Sequence, residues 1–168
     1  MLYVSATWKS NSRSISTAIF RELALSREKI LVPLGPANHD FNALYHALSV
    51  AERIQAKVYV VYPGNQKAAA GRPDWMAEHL KELIGKACQQ GLAVSCHISA
   101  GPLLAELVDI INEQQIDLII FESDGDNGLV TKAINEVLTT VPIQAVQVNG
   151  KPTSTYRLRK DGVKCRSS

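Results

Sequence analysis

The sequence predicts a three-layer α/β/α fold in which helices cover both faces of an open parallel sheet of five strands. Short apolar runs rich in Val and Ile alternate with longer stretches whose apolar residues recur every three or four positions. Gly or Pro ends most of these segments, and the connections are short. Because strands that alternate with helices are joined by crossovers, the strands must lie parallel in one sheet.

The elements follow one another from residue 29 onward. The five strands are predicted at 29–34, 57–62, 93–99, 117–121 and 143–148. The helices between them begin near Phe41, after Pro73, after Pro102 and at Leu129, and each shows one apolar stripe. We therefore expect one domain at 29–150. An N-terminal extension at 1–28 holds a possible short strand at 2–6, and a basic tail or hairpin occupies 151–168.

Composition and charge limit which partners and which cellular location we expect for this protein. The net charge is +2, but residues 29–150 carry −5 while residues 1–28 carry +2 and residues 151–168 carry +5. We therefore expect the tail to dock on the protein's own acidic surface, the alternatives being a solubilising tail or contact with another acidic surface or nucleic acid. The overall charge gives no reason to expect nucleic acid as a partner. No apolar run approaches the ~18 residues of a membrane span. The cysteines are odd in number without CxxC spacing, which predicts reduced thiols and a cytoplasmic protein.

The loop after the strand at 117–121 is the predicted functional site, because open parallel sheets bind ligands at the carboxyl ends of their strands. This loop holds Glu122, Asp124 and Asp126, with Gly125 and Gly128 among them. Such a trio suggests a calcium loop, but the glutamate at position twelve is missing, so we expect a solvated acidic turn without metal. The two glycines are expected to supply positive φ angles.

The remaining candidate residues form no recognisable catalytic motif in the sequence. The sequence has no GxSxG elbow and no HExxH motif, and His97 and Cys96 alternate on one strand so that they face opposite sides. We predict no catalytic residue and no enzymatic activity. Trp75, on a helical stripe, is expected in the core or in a partner interface.

Several segments together resemble the universal stress protein family over roughly residues 29–149. None is diagnostic alone, but their order and spacing are fairly specific. The matching segments are Lys29-Ile-Leu-Val-Pro-Leu34, the first helix into strand two at 43–58, Ala100-Gly-Pro102, Gln115-Ile-Asp-Leu-Ile-Ile-Phe121, and Val137-Leu-Thr-Thr-Val-Pro-Ile-Gln-Ala-Val146. The resemblance implies a Rossmann-like sheet of the adenine nucleotide alpha hydrolase-like type, a role in stress response, and a homodimer built through the last strand with otherwise unknown protein partners.

Many members of that family bind ATP through Gly, two residues, Gly, nine residues and Gly-Ser/Thr, with an Asp ending strand one. Here Gly35 stands at the Asp position, Glu122 at the first Gly, and Thr131-Lys132 near the Gly-Ser pair. Thr131 is six positions after Gly125, whereas the corresponding step in the motif is ten positions. The loop is therefore about one helical turn short.

The sequence thus predicts a regulatory universal stress protein-like protein without a cofactor, because the shortened loop is also acidic and repels phosphate. The alternative is a member that binds ATP and Mg²⁺ in an altered loop. The residues of that alternative site are Gly125, Gly128, Thr131 and Lys132, with Val60 beside the base and Gly35 at the end of strand one.

Overall fold

The structure is a computed structural model that describes residues 3–5, 28–36, 40–64 and 75–149. Within these ranges it contains six strands and four helices. The strands are β1 (Tyr3–Ser5), β2 (Lys29–Pro33), β3 (Lys57–Pro63), β4 (Ala93–Ser99), β5 (Leu118–Glu122) and β6 (Gln144–Val148). The helices are α1 (Asn42–Ile54), α2 (Trp75–Gln89), α3 (Leu103–Gln114) and α4 (Leu129–Thr140). Every predicted core element is present within one or two residues of its expected bounds.

The sheet has the strand order β1-β4-β3-β2-β5-β6. Strands β2 to β6 are all parallel, which confirms the predicted five-stranded parallel sheet. Strand β1 adds a sixth, antiparallel strand at the β4 edge, with Tyr3 opposite His97 and Ser5 opposite Ser95. This strand falls in the predicted N-terminal extension, at the position expected for a short strand.

Two hydrophobic clusters form the core, one on each face of the sheet. Alternate residues of β2 separate between them: Ile30 and Val32 join α1 and α2, whereas Leu31 joins α3 and α4. All three side chains are fully buried. This is why the central strands read as continuous apolar runs, since neither face meets water.

The order of the strands places a switch point between β2 and β5. The chain moves from β2 to β3 to β4 on one side, then crosses to β5 and β6 on the other, and β2 pairs directly with β5. Helices α1 and α2 cover one face and α3 and α4 the other. The connections after β2 and β5 therefore leave in opposite directions, which opens a crevice at the carboxyl ends of these two strands.

The remaining expectations have mixed outcomes. The indole of Trp75 is 56% exposed, so its placement in the core was wrong, and its role in a partner interface stays a prediction. Among the described residues, none of the helices is long and apolar enough to cross a membrane. The basic tail and most of the N-terminal extension lie outside the described residues, and the boundaries at 1–28, 29–150 and 151–168 stay predictions.

Candidate functional site

The candidate site lies at the switch point, where the loop at 123–128 connects β5 to α4. Helix α4 begins at Leu129 with Gly128 as its N-cap residue, and Gly128 offers no side chain to the first backbone N–H groups. Such free N–H groups form an anion-binding site at the start of a helix, reinforced by the helix dipole. The occupant of these groups decides what this site can bind.

The carboxylate of Asp124 occupies the start of α4. Its Oδ2 accepts a hydrogen bond from Val130 N at 2.9 Å, and its Oδ1 accepts from Thr131 N at 3.0 Å. The Thr131 hydroxyl donates to the same Oδ1 at 2.8 Å. Each carboxylate oxygen thus binds a helix N–H group in the way that a bound phosphate would. The Asp124 side chain therefore occupies the anion-binding position at the start of α4.

The charge of Asp124 fits this arrangement. Burial raises the pKa of the Asp124 carboxyl, but hydrogen bonds from Thr131 and Val130 outweigh burial, so the pKa falls below its ordinary value. The side chain is therefore a carboxylate at neutral pH, and it neutralises the positive end of the helix.

Gly125 and Gly128 have different structural roles in the loop. Gly125 has a φ of +92°, as expected, and it turns the chain back toward the helix. Gly128 has an ordinary φ of −66°, so its expected positive φ was wrong. A Cβ on Gly128 would lie 1.9 Å from Asp124 Oδ1 and 2.6 Å from Asp124 O. Gly128 is therefore required so that the Asp124 carboxylate can reach the helix.

A second contact crosses the crevice from α1 to β5. The side-chain amide of Asn42, the first residue of α1, donates to Glu122 Oε1 at 3.1 Å. Asn42 is buried, and Glu122 Oε2 is also buried without a hydrogen-bond partner among the described residues. The preceding Phe41 adopts a left-handed backbone with φ of +51°, which is strained for a bulky side chain. The strained turn places Asn42 against Glu122, and this contact bridges the two sides of the crevice.

The other predicted site residues are dispersed. Thr131 and the exposed Lys132 lie in the first turn of α4, and Asp126 is exposed at the tip of the loop. Gly35 is buried just past the end of β2. Val60 is fully buried in the middle of β3, under α1. The structure therefore brings Gly125, Gly128 and Thr131 together with Asp124, but Val60 offers no surface to a ligand.

Comparison with known proteins identifies the fold and the family. The sequence profile of the universal stress protein family matches residues 26–141, which is most of the chain. The chain belongs to the universal stress protein family. A universal stress protein of Methanocaldococcus jannaschii is 24% identical over 115 residues, which cover 61% of this chain and 68% of that protein.

Solved structures of universal stress proteins share the fold. UspA of Lactobacillus plantarum matches 73% of this chain and 99% of its own, with a TM-score of 0.52 and 20% identity. A universal stress protein solved in complex with cAMP matches 72% of this chain and 95% of its own, with a TM-score of 0.53 and 17% identity. The family profile leaves residues 1–25 and 142–168 of this universal stress protein outside its match.

Sequence reasoning about this universal stress protein missed the Asn42 contact and did not separate the roles of the three acids. Glu122 contacts Asn42, Asp124 caps α4, and Asp126 faces solvent. A sequence signal for the cap does exist, because a glycine four residues after an aspartate permits a close approach at a helix start. The Asn42 contact has no such signal, since 80 residues separate its partners.

A second polar cluster lies at the carboxyl end of β4, on the α3 side. His97 Nε2 contacts Glu106 Oε2, and Glu106 Oε1 accepts from Gly101 N at 2.9 Å. Burial raises the pKa of Glu106, but hydrogen bonds from His97, Gly101 and Ser99 lower it below its ordinary value. The described residues contain no cluster of three or more His, Cys, Asp or Glu side chains that could hold a metal ion. This pair joins α3 to β4 and fixes the turn between them.

Proposed function

We propose that this universal stress protein is a non-enzymatic regulatory protein that acts through protein partners and does not use ATP. The observation that carries the proposal is the Asp124 carboxylate, which holds the Val130 and Thr131 N–H groups at the start of α4. A phosphate at this position would have to displace a carboxylate that is tethered to the same loop. Because the competing anion is intramolecular, its effective concentration is high and the displacement is unfavourable.

Charge and shape at the crevice support the same proposal. A triphosphate that entered past β2 and β5 would meet the half-buried Glu122 as well as Asp124. Each like charge a few ångströms away costs about 1 to 4 kcal/mol at the dielectric of a protein surface. The Asn42 contact with Glu122 would also have to open. In addition, the loop is about one helical turn shorter, counted in the sequence, than the family's phosphate-binding motif.

The alternative proposal is a nucleotide-binding member. It is supported by the shared fold with the protein solved in complex with cAMP and by Lys132, an exposed cation in the first turn of α4. In that case Gly125, Gly128 and Thr131 would hold the phosphate after Asp124 had turned away, and Mg²⁺ would offset part of the acidic charge.

Titration calorimetry with Mg-ATP separates the two proposals. We expect the wild type to bind with a Kd weaker than about 1 mM. Asp124→Ala should bind phosphate or ATP more tightly than the wild type, because it frees two backbone N–H groups and removes one charge. Asp126→Ala is the matched control, since it removes a charge from the same loop without freeing the helix start. Micromolar binding of Mg-ATP by the wild type would refute the proposed function.

We further propose a homodimer through β6. This strand forms an edge of the described sheet, and Val146 on it is 43% exposed. An unpaired edge strand with an exposed apolar side chain invites pairing with another strand. Two copies of β6 could pair antiparallel across a two-fold axis, which would join the two sheets. Docking of the basic tail on the acidic domain, and a cytoplasmic location, stay predictions.

A further inference from the structure

A cavity lies between α2 and the sheet, away from the switch point. Its volume is about 100 Å³, and its lining is almost entirely apolar. Tyr62 of β3 with Cys96 and Ile98 of β4 form the sheet side, and Leu80 and Ile84 of α2 form the opposite side. Apolar cavities of about 150 Å³ take up small molecules such as benzene, so this smaller cavity has room for an apolar group of at most about that size.

A glycine in the middle of α2 lies on the exposed side of the cavity. Gly85 lines the cavity and is exposed, and a Cβ added to it would meet no atom within 4 Å. No steric contact therefore requires glycine there, although glycine in a helix interior costs about 0.5 to 1 kcal/mol relative to alanine. A larger side chain at this position would cover the opening.

A positive charge lies at the same opening. Lys81, one turn before Gly85, also lines the cavity, and its side chain is 54% exposed. Its ion pair with Glu78 is long, at 3.8 Å, and both side chains are exposed, so the pair contributes little. Burial raises the pKa of the Cys96 thiol to about 11, and the nearby Lys81 ammonium opposes this rise. The ammonium therefore acts over the cavity while remaining in reach of solvent.

We propose that this cavity binds a small apolar carboxylate, with its aromatic or branched aliphatic group inside the cavity and its carboxylate at Lys81. The volume limits the buried part to about the size of isobutyl or benzene, by comparison with cavities known to hold such molecules. The apolar lining excludes a polar buried group, because such a group would lose its hydrogen bonds to water. The site is separate from the loop at 123–128 and does not depend on the proposed absence of ATP binding.

Calorimetry or NMR titration of the full chain with benzoate and isovalerate tests the site. We expect saturable binding with a Kd of about 0.1 to 1 mM. Gly85→Leu should weaken binding at least about tenfold while leaving stability equal or higher, since leucine favours the helix and covers apolar surface. Lys81→Met should weaken benzoate binding several-fold without affecting benzene. Lys86→Met is the matched control, because Lys86 lies on the same helix beside Glu82, away from the cavity lining.

The reactivity of Cys96 locates the ligand. Benzoate should slow modification of Cys96 by a small mercurial in the wild type and not in Gly85→Leu, as measured by peptide mass spectrometry. Absence of binding, or binding that Gly85→Leu leaves unchanged, would overturn the proposal. Equal binding of benzene and benzoate, unaffected by Lys81→Met, would refute the proposed contact between the ligand carboxylate and Lys81.

Discussion

Replacement of Asp124 tests the internal anion most directly. Asp124→Asn keeps the size of the side chain but replaces one acceptor oxygen with an amide nitrogen, which cannot accept from Val130 N or Thr131 N. One of the contacts at 2.9 and 3.0 Å is lost, and so is the charge that faces the helix dipole. Loss of an N-terminal cap costs about 0.5 to 2 kcal/mol. We expect about 1 kcal/mol for Asp124→Asn and about 2 kcal/mol for Asp124→Ala, which removes all three contacts.

Urea denaturation and thermal denaturation, both followed by circular dichroism, measure these costs. In a chain of this size, 1 kcal/mol lowers the melting temperature by about 2 to 4 °C, so Asp124→Ala should melt about 4 to 8 °C lower. Asp126→Asn, a neighbouring exposed acid, should change stability by less than about 0.5 kcal/mol. Equal midpoints for Asp124→Asn, Asp126→Asn and the wild type would refute the assignment of Asp124 as the cap.

The pH dependence of the same difference gives a second check. The pKa of Asp124 is lower in the folded state than its ordinary value, so its stabilisation is complete above the unfolded pKa of about 3.9. It is then lost as the pH falls through the lower folded pKa, because the native state must take up a proton. The gap between wild type and Asp124→Asn should be full at neutral pH and should shrink below about pH 4. A gap that stays constant across this range would contradict the ionic part of the argument.

Three other substitutions have defined outcomes. Gly128→Ala should destabilise the protein by about 2 kcal/mol in urea denaturation, because its Cβ would displace the capping carboxylate. Glu106→Gln should cost about 1.5 to 3 kcal/mol at neutral pH, since it removes the anionic acceptor of the hydrogen bonds from His97 and Gly101 N, and the cost should fade as acid protonates Glu106 in the wild type. Val146→Arg should raise the dimer Kd by more than about tenfold in sedimentation equilibrium, because it places a charge on the β6 edge.

Each of these has a matched control. In an Asp124→Ala background, Gly128→Ala should cost less, because the contact with the carboxylate is removed and only the close approach to the backbone oxygen of residue 124 remains; fully additive costs would contradict the shared mechanism. Glu113→Gln, on the exposed face of α3, should leave stability unchanged, and a cost equal to that of Glu106→Gln would argue against the His97 pair. Asn135→Arg, on the exposed face of α4, should leave the dimer Kd unchanged, and equal weakening by both variants would place the interface elsewhere.

Sequence reasoning performed best where local rules act alone. The bounds of β3, β4 and α4 follow from apolar period and from the Gly and Pro residues beside them, and these signals need no knowledge of the rest of the chain. The family resemblance came from the same segments, since they are the buried strands and stripes that the fold requires. Of the two places expected for Trp75, the core was wrong, because the first residue of a helix can lie on its apolar stripe and still be exposed.

The sequence by itself determined the alternating strands and helices, the parallel sheet and the acidic residues of the loop. Only the tertiary structure decided which contacts the acidic side chains make. Asp124 binds the start of α4, whereas Glu122 accepts a hydrogen bond from Asn42, which lies 80 residues earlier in the chain. The tertiary structure also decided that Gly128 serves close approach and not a turn. The physical reason is that hydrogen bonding between distant residues depends on where the strands place them, and that placement is set by the whole packed sheet.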